Sequence, residues 1–191
     1  MRDQYFVSKI RPLKGYPIFL LFLLMVLSGC QAKEPPLTPA AAAFKKEVQE
    51  CLDRLCQGVV TSIVKGDVAS INETLKHLEP EALKLCRMCP FRIGILNKTG
   101  ETLTVFPYKE EALGNFSSYE AVAQTLKDRR INQQRLFLQN GAQIYVICVP
   151  LLKDENLVGI MVLSLSVEEA KKRWGLTEQD FQGIDFNIKR P

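Results

Sequence analysis

Apolar side chains recur at Phe44, Val48, Leu52, Leu55, Val59 and Ile63. The steps of 4, 4, 3, 4 and 4 lay them along one face of an α-helix. Thr38 before Pro39 supplies an N-cap and a first-turn proline, and Gly66 a C-terminal stop, so the pattern predicts a helix over 40–65. Ser70, Ile71, Asn72 and Glu73 read as a capping box opening a second helix that carries Ile71, Leu75 and Leu78. Pro80 is expected to kink or break that helix, with further turns through Met88 and an end at Pro90. From Phe91 the period changes to 2. The pattern predicts a strand over 91–96, a turn at 97–100 and a return strand over 101–106. Tyr119, Val122, Ala123 and Leu126 share a helical face within 119–129, with Ser117 or Ser118 as cap. Strands over 134–139, 143–152 and 157–166 follow, joined by Asn140-Gly141, a strong hairpin signal, and by a turn at 153–156. Ser166 and Glu169 cap a last helix, and the chain from Leu176 reads as a short tail.

The last two strands are apolar at nearly every position, so both faces of the sheet need cover. The long first helix can supply one layer, and the segment between the second and third strands the other. The predicted fold class is α+β, a five-stranded antiparallel sheet with a long N-terminal helix packed on one face.

Several stretches carry a likeness beyond the element order. They are the run from Phe91 through Asn97 and Gly100 to Leu103, the run Leu113-Gly114-Asn115-Phe116-Ser117-Ser118-Tyr119, Val149-Pro150-Leu151, and the strand from Asn156 through Gly159 to Val167. Over about 91–166 this pattern resembles the Cache-type extracellular sensor domain, a relative of the PAS fold. The resemblance implies a small-molecule pocket between the sheet and the middle segment, taking amino acids, carboxylates or similar metabolites. Strand alternation nominates Tyr119, Arg135 and Tyr145 as its ligand-binding side chains, with Tyr108 as an outlying candidate. Arg135 is expected to clamp a carboxylate bidentately. Cache domains usually sit between two transmembrane helices and feed a kinase, a cyclase or a methyl-accepting output. This chain has no second apolar span, so its state is expected to pass through a membrane sensor or assembly partner protein.

The N-terminus has its own pattern. Four cations, Arg2, Lys9, Arg11 and Lys14, precede a 12-residue apolar run over 16–27 and then Leu27-Ser28-Gly29-Cys30. A basic flank, a short apolar run and small residues before the cut make a secretory signal, too short to span a bilayer, which takes about 20 apolar residues. The four residues ending in Cys30 resemble the lipobox of bacterial lipoproteins. The resemblance implies cleavage after Gly29, lipid (palmitate among the chains) on Cys30, and a place on the periplasmic side of a bacterial envelope membrane. Gln31, where Asp would tend to retain a lipoprotein at the inner membrane, leans the location towards the outer one. The expected organisation is a signal peptide over 1–29, a Pro/Ala-rich tether over 30–39, a helical segment over 40–90, the Cache/PAS-like domain over 91–175 and a tail over 176–191. The whole chain carries net +4. Its leader holds four cations and one anion, so net +4 less net +3 leaves +1 for the mature protein. No basic stripe remains, and nucleic acid is not an expected partner.

Cys51, Cys56, Cys86, Cys89 and Cys148 remain in the mature chain. Outside the cytosol disulfides are the default. If the first two helices form an antiparallel hairpin, Cys51 falls within about 6 Å axially of Cys86, at 1.5 Å per residue. Cys86 or Cys89 can then meet it. Three readings of Cys51, Cys56, Cys86 and Cys89 stay open: two structural disulfides, a four-thiolate metal site, or a redox-active pair at Cys86 and Cys89. Cys148 lies in an all-apolar strand and reads as a small buried hydrophobe. His77, the one histidine, sits beside Lys76 and Glu79 on an exposed helix position. No Gly-rich phosphate loop and no paired carboxylates appear, so neither an enzyme nor a cofactor is expected. The function this supports is a membrane-anchored lipoprotein whose domain binds a small ligand. The alternatives are a structural or assembly module that binds protein, and a thiol-redox or metal-handling lipoprotein.

Overall fold

The computed structural model describes residues 36–85, 92–106 and 113–186. Helix α1 spans Pro39–Val64. Its six predicted apolar positions are all buried, at 0–9% exposure, joined by Ala41, Cys51 and Cys56. Thr38 Oγ1 accepts the Ala41 N–H at 3.1 Å, with Pro39 in the first turn.

Helix α2 spans Val68–Leu85, and its start departs from expectation. Asp67, not Ser70, caps it, with Oδ1 accepting the Ser70 N–H at 3.1 Å. Ser70 lies inside the helix, its hydroxyl 3.0 Å from that of Ser62 on α1. Pro80 does not break the helix, which continues to Leu85 as the expected further turns. One missing backbone bond is a local cost, and the burial of Ile71 and Leu75 in the α1 core offsets it. Cys86, Cys89, Pro90, Phe91 and Tyr108 lie outside the described residues, as do the leader, Cys30 and Gln31.

Strands β1 (Arg92–Leu96), β2 (Thr102–Phe106), β3 (Asn132–Phe137), β4 (Gln143–Lys153) and β5 (Asn156–Ser166) form one sheet. Its order is β2-β1-β5-β4-β3, with every neighbouring pair antiparallel. Helix α3 (Glu120–Asp128) precedes β3, and α4 (Val167–Trp174) and α5 (Glu178–Gln182) follow β5. The five-stranded antiparallel α+β fold expected from the pattern is the one observed. Tyr119 rather than Ser117 or Ser118 is the α3 N-cap, and it makes no side-chain cap bond. The first-turn Ala121 N–H is taken by Gln134 Oε1 at 3.1 Å, from across the fold on β3.

Period-2 alternation sends Ile93, Ile95, Tyr145, Ile147, Val149, Met161, Leu163 and Leu165 to the α1 side, where they form the main core. Ile71 and Leu75 of α2 extend this layer, and Asn72 Oδ1 accepts from the buried Thr104 hydroxyl of β2 at 2.6 Å.

From Leu176 to Phe186 the chain is not a tail. Leu176, Phe181, Ile184 and Phe186 are buried in the α1-side core. Thr177 and Asp180 form a reciprocal capping box on α5. Gln133 Nε2 donates to the carbonyls of Phe181, Gln182 and Ile184 at 2.6, 3.2 and 2.9 Å, riveting this segment to β3. Thr38 Oγ1 also donates to Asp180 Oδ1 at 2.6 Å, linking the start of α1 to α5. Arg173 pairs with Glu47 at 2.9 Å, and Trp174 packs edge-on against Phe44 at 5.0 Å.

The contact between β1 and β5 depends on Gly159. A Cβ there would sit 2.6 Å from the Leu96 carbonyl oxygen. That oxygen is backbone in a paired strand end (Leu96 opposite Ile160) and cannot swing aside. Gly159→Ala is therefore expected to destabilise by about 1–3 kcal/mol, the range for overpacking, read as a lower urea midpoint with an unchanged slope.

Candidate functional site

The second face of the sheet is only partly covered. Gly94, Leu96, Leu136, Ile144, Val146, Cys148, Ile160 and Val162 alternate onto it, and α3 is the helix laid across it. With nine residues, α3 is about 14 Å long at 1.5 Å per residue. The eleven residues of β4 extend over about 36 Å at 3.3 Å each. One short helix cannot close so long a face. Thr125 pins it at one end, with Oγ1 3.4 Å from the Cys148 carbonyl oxygen and Asn132 Nδ2 donating to Oγ1 at 3.1 Å.

What remains open is a cavity of about 240 Å³. Gly94, Leu96, Val105, Leu136, Ile144, Val146, Cys148 and Val162 make its sheet wall. Ala121 and Val122 of α3, with Phe116 and Tyr119 just before that helix, make the opposing wall, and the Phe116 and Tyr119 rings lie 5.5 Å apart. Phe137 and Leu138 of the β3–β4 hairpin complete the lining, with Phe137 at 65% exposure. Arg92, Thr102, Gln134 and Ser164 supply the polar lining. Burial pushes the Cys148 thiol up to about 12, so it is a neutral part of the wall.

Gly94 leaves part of this space open. It sits mid-strand, directly opposite Val105 on β2 and Val162 on β5. A Cβ there would meet Val162 Cβ at 3.8 Å and Val105 Cγ1 at 3.9 Å, ordinary contacts. Glycine weakens a strand interior and commonly marks a close approach by another group. Here no backbone demands it, and the volume its missing side chain leaves is cavity.

Of the side chains nominated from the pattern, Tyr119 lines this cavity and is exposed at its edge. Arg135 and Tyr145 do not. They are paired across β3 and β4 and face the α1 side. Tyr145 is buried and stacked on Phe181, centroids 4.0 Å apart. Arg135 Nη1 pairs with Glu178 Oε2 at 2.6 Å, and its guanidinium lies 4.7 Å from the Phe137 ring centroid. Both thus hold α5 and the hairpin rather than the cavity. The residues missed are their neighbours one step along each strand, Gln134, Leu136, Ile144 and Val146, together with Gly94. The lone glycine in an otherwise apolar strand was the available signal.

Cys51 and Cys56 are buried on α1. Burial first, then the charges of Asp53 and Cys51, push the Cys56 thiol up to about 12, which makes it a poor nucleophile and metal ligand. Among the described residues no three His, Cys, Asp or Glu side chains are grouped to hold a metal ion. His77 is exposed on α2. No helix of the described residues is long and apolar enough to cross a membrane.

No protein-family model matches the chain, and no curated protein matches it. Solved structures do. A domain of a protein assigned to the sensory box/GGDEF family from Vibrio parahaemolyticus matches with a TM-score of 0.57 at 11% identity, over 73% of this chain and 60% of that one. The extracellular domain of a protein assigned as the histidine kinase vpHK1S-Z8 matches with a TM-score of 0.57 at 12% identity, over 73% and 57%. The ligand-binding domain of the Pseudomonas fluorescens chemoreceptor CtaA, solved with L-isoleucine, matches with a TM-score of 0.52 at 14% identity, over 70% and 54%. The chain thus spans between half and two thirds of the length of these structures. Helices on both faces of a five-stranded antiparallel sheet place this protein's fold with the Cache/PAS-like sensor domains.

Proposed function

We propose that the protein is a ligand-binding sensory domain, held at a bacterial envelope membrane by lipid on Cys30, which presents its bound state to a membrane partner protein. The single observation behind the binding role is the cavity of about 240 Å³ between the sheet and α3, in a fold whose neighbours are sensory and ligand-binding domains. Apolar walls with a few polar groups are the usual make-up of a small-molecule site. The structural-module alternative would be better served by a filled interior, and the redox alternative by exposed thiols with lowered pKa. That alternative turns on Cys86 and Cys89, which lie outside the described residues. Pairing of Cys51 with Cys86 or Cys89 belongs to this proposal as a structural brace, and peptide mapping under non-reducing conditions reads it directly.

A thermal-shift screen of Leu37–Pro191, the compact unit that holds the whole cavity, tests the binding role. The panel spans amino acids, carboxylates, amines, purines and neutral aromatics. A ligand at 100 times its Kd adds about 2.7 kcal/mol, which at this size raises Tm by roughly 5–10 °C. No shift across such a panel, with cooperative unfolding intact, counts against it.

The anchor has a separate test. Two or more acyl chains hold a protein stably, at about 0.8 kcal/mol per buried methylene. Cys30→Ser is expected to move the full chain from the membrane to the soluble fraction and to abolish incorporation of labelled palmitate. Unchanged fractionation and labelling would rule the anchor out.

A further inference from the structure

The described wall of the cavity holds no buried charge. Arg92 is its one charged side chain among the described residues, and it is exposed. The polar groups are largely engaged. Thr102 Oγ1 donates to the Gly114 carbonyl at 2.9 Å, and Ser164 Oγ lies 3.4 Å from the Arg92 carbonyl oxygen. Gln134 Oε1 accepts the Ala121 N–H, which leaves its Nε2 as a donor with no protein partner among the described residues. An ammonium brought against this wall would shed water and gain no opposite charge, the most costly kind of burial, and a carboxylate would meet a cation only at exposed Arg92, where water screens the pair. An apolar body pays no such penalty.

Size narrows the class further. An apolar cavity of about 150 Å³ accepts benzene. At about 240 Å³, this one has room for a substituted ring or a branched aliphatic body of similar bulk. Tyr119, Phe137 and Leu138, exposed at its edge, give such a molecule an apolar approach.

We propose that the cavity selects an uncharged, mainly apolar small molecule, with at most a neutral hydrogen-bond acceptor for Gln134, and rejects zwitterionic amino acids of the same bulk. This deepens the ligand-binding reading and rests on it.

Titration of ¹⁵N-labelled Leu37–Pro191 separates the two claims. The probes are indole, acetophenone and toluene against L-isoleucine and L-phenylalanine. Neutral probes are expected to bind at least about tenfold more tightly than the zwitterions, because an unpaired charge costs more than that factor. They should shift the amides of Gly94, Gln134, Val146 and Val162. Gly94→Val should remove the binding, with Val162→Phe as a second filler should the first variant fail to fold. Gln134→Leu should weaken acetophenone more than toluene, while Arg173→Ala, which loses its pairing with Glu47 on the α1 side, leaves both unchanged. Zwitterions that bind as tightly as the neutral probes, and lose binding in Gly94→Val, would overturn the selectivity and leave the ligand site standing. Binding of neither class to the folded domain would overturn both.

Discussion

Phe181→Ala is expected to destabilise the domain by about 3–5 kcal/mol, the range for truncating a buried phenylalanine. At this chain length that lowers Tm by roughly 6–20 °C. Phe181 is 0% exposed. It stacks on Tyr145 at 4.0 Å and meets Phe44 edge-on at 6.3 Å, so it joins the C-terminal segment to both β4 and α1. Such ring pairs add about 0.5–1.5 kcal/mol each beyond area burial. Gln133 holds the segment by three backbone carbonyls, so the residual cavity cannot close by a local shift. Arg135→Ala is the contrast. The Arg135–Glu178 pair is part-exposed, at 26% and 46%, and such pairs contribute about 0–1 kcal/mol. Urea unfolding of the two variants side by side checks the order. If Phe181→Ala were as mild as Arg135→Ala, the C-terminal segment would not be part of the core.

Gly94→Val has the opposite sign on stability and a large effect on binding. The added side chain enters space whose nearest atoms are 3.8–3.9 Å from its Cβ, with valines directly opposite on both neighbouring strands. Replacing a strand glycine with a β-branched residue reduces the freedom of the unfolded chain and adds cross-strand contacts, each effect contributing about 0.4–1 kcal/mol. The domain should gain about 1 kcal/mol and 2–4 °C in Tm. The same methyl groups occupy the cavity, and ligand stabilisation should vanish. More stability with less binding is the signature of a residue kept for its missing side chain. A variant that is destabilised and still shifts with ligand would show that the space over Gly94 is not the site.

Much of this fold is written locally. The face of α1 follows from a 3.6 period over six apolar positions, and Thr38-Pro39 marks its start within a residue. The hairpin at Asn140-Gly141 is legible because few residues tolerate φ near +80°, the value at Gly141. The C-terminal segment was not legible. Phe181 lies in a five-residue helix and Ile184 and Phe186 follow it, spaced by Gln, Gly and Asp, and the burial of this segment is decided by Gln133 and Tyr145 far away in the chain. The face that carries the cavity was hidden for a related reason. β4 is apolar on both faces, so alternation separates Tyr145 and Ile147 from Ile144, Val146 and Cys148 without saying which set meets the cavity. The polar tips of Arg135 and Tyr145 belong to the set that faces α1, away from the cavity. Gly94 carried the opposite information, since a glycine amid Ile93, Ile95 and Leu96 weakens the strand it sits in unless an absence is useful there. Cys86, Cys89 and Cys30 lie outside the described residues, and their roles rest on spacing and resemblance.

Hydrogen exchange of Leu37–Pro191, free and saturated with its best-stabilising compound, tests the ligand site most directly. Binding between the sheet and α3 should slow exchange in Glu120–Asp128, in the β3–β4 hairpin and around Gly94. Exchange in α5 and on the α1-side neighbours of Tyr145 should change far less. Protection centred on α1, α5 and Tyr145, with α3 and Gly94 unchanged, would contradict the account and place the ligand on the other face of the sheet.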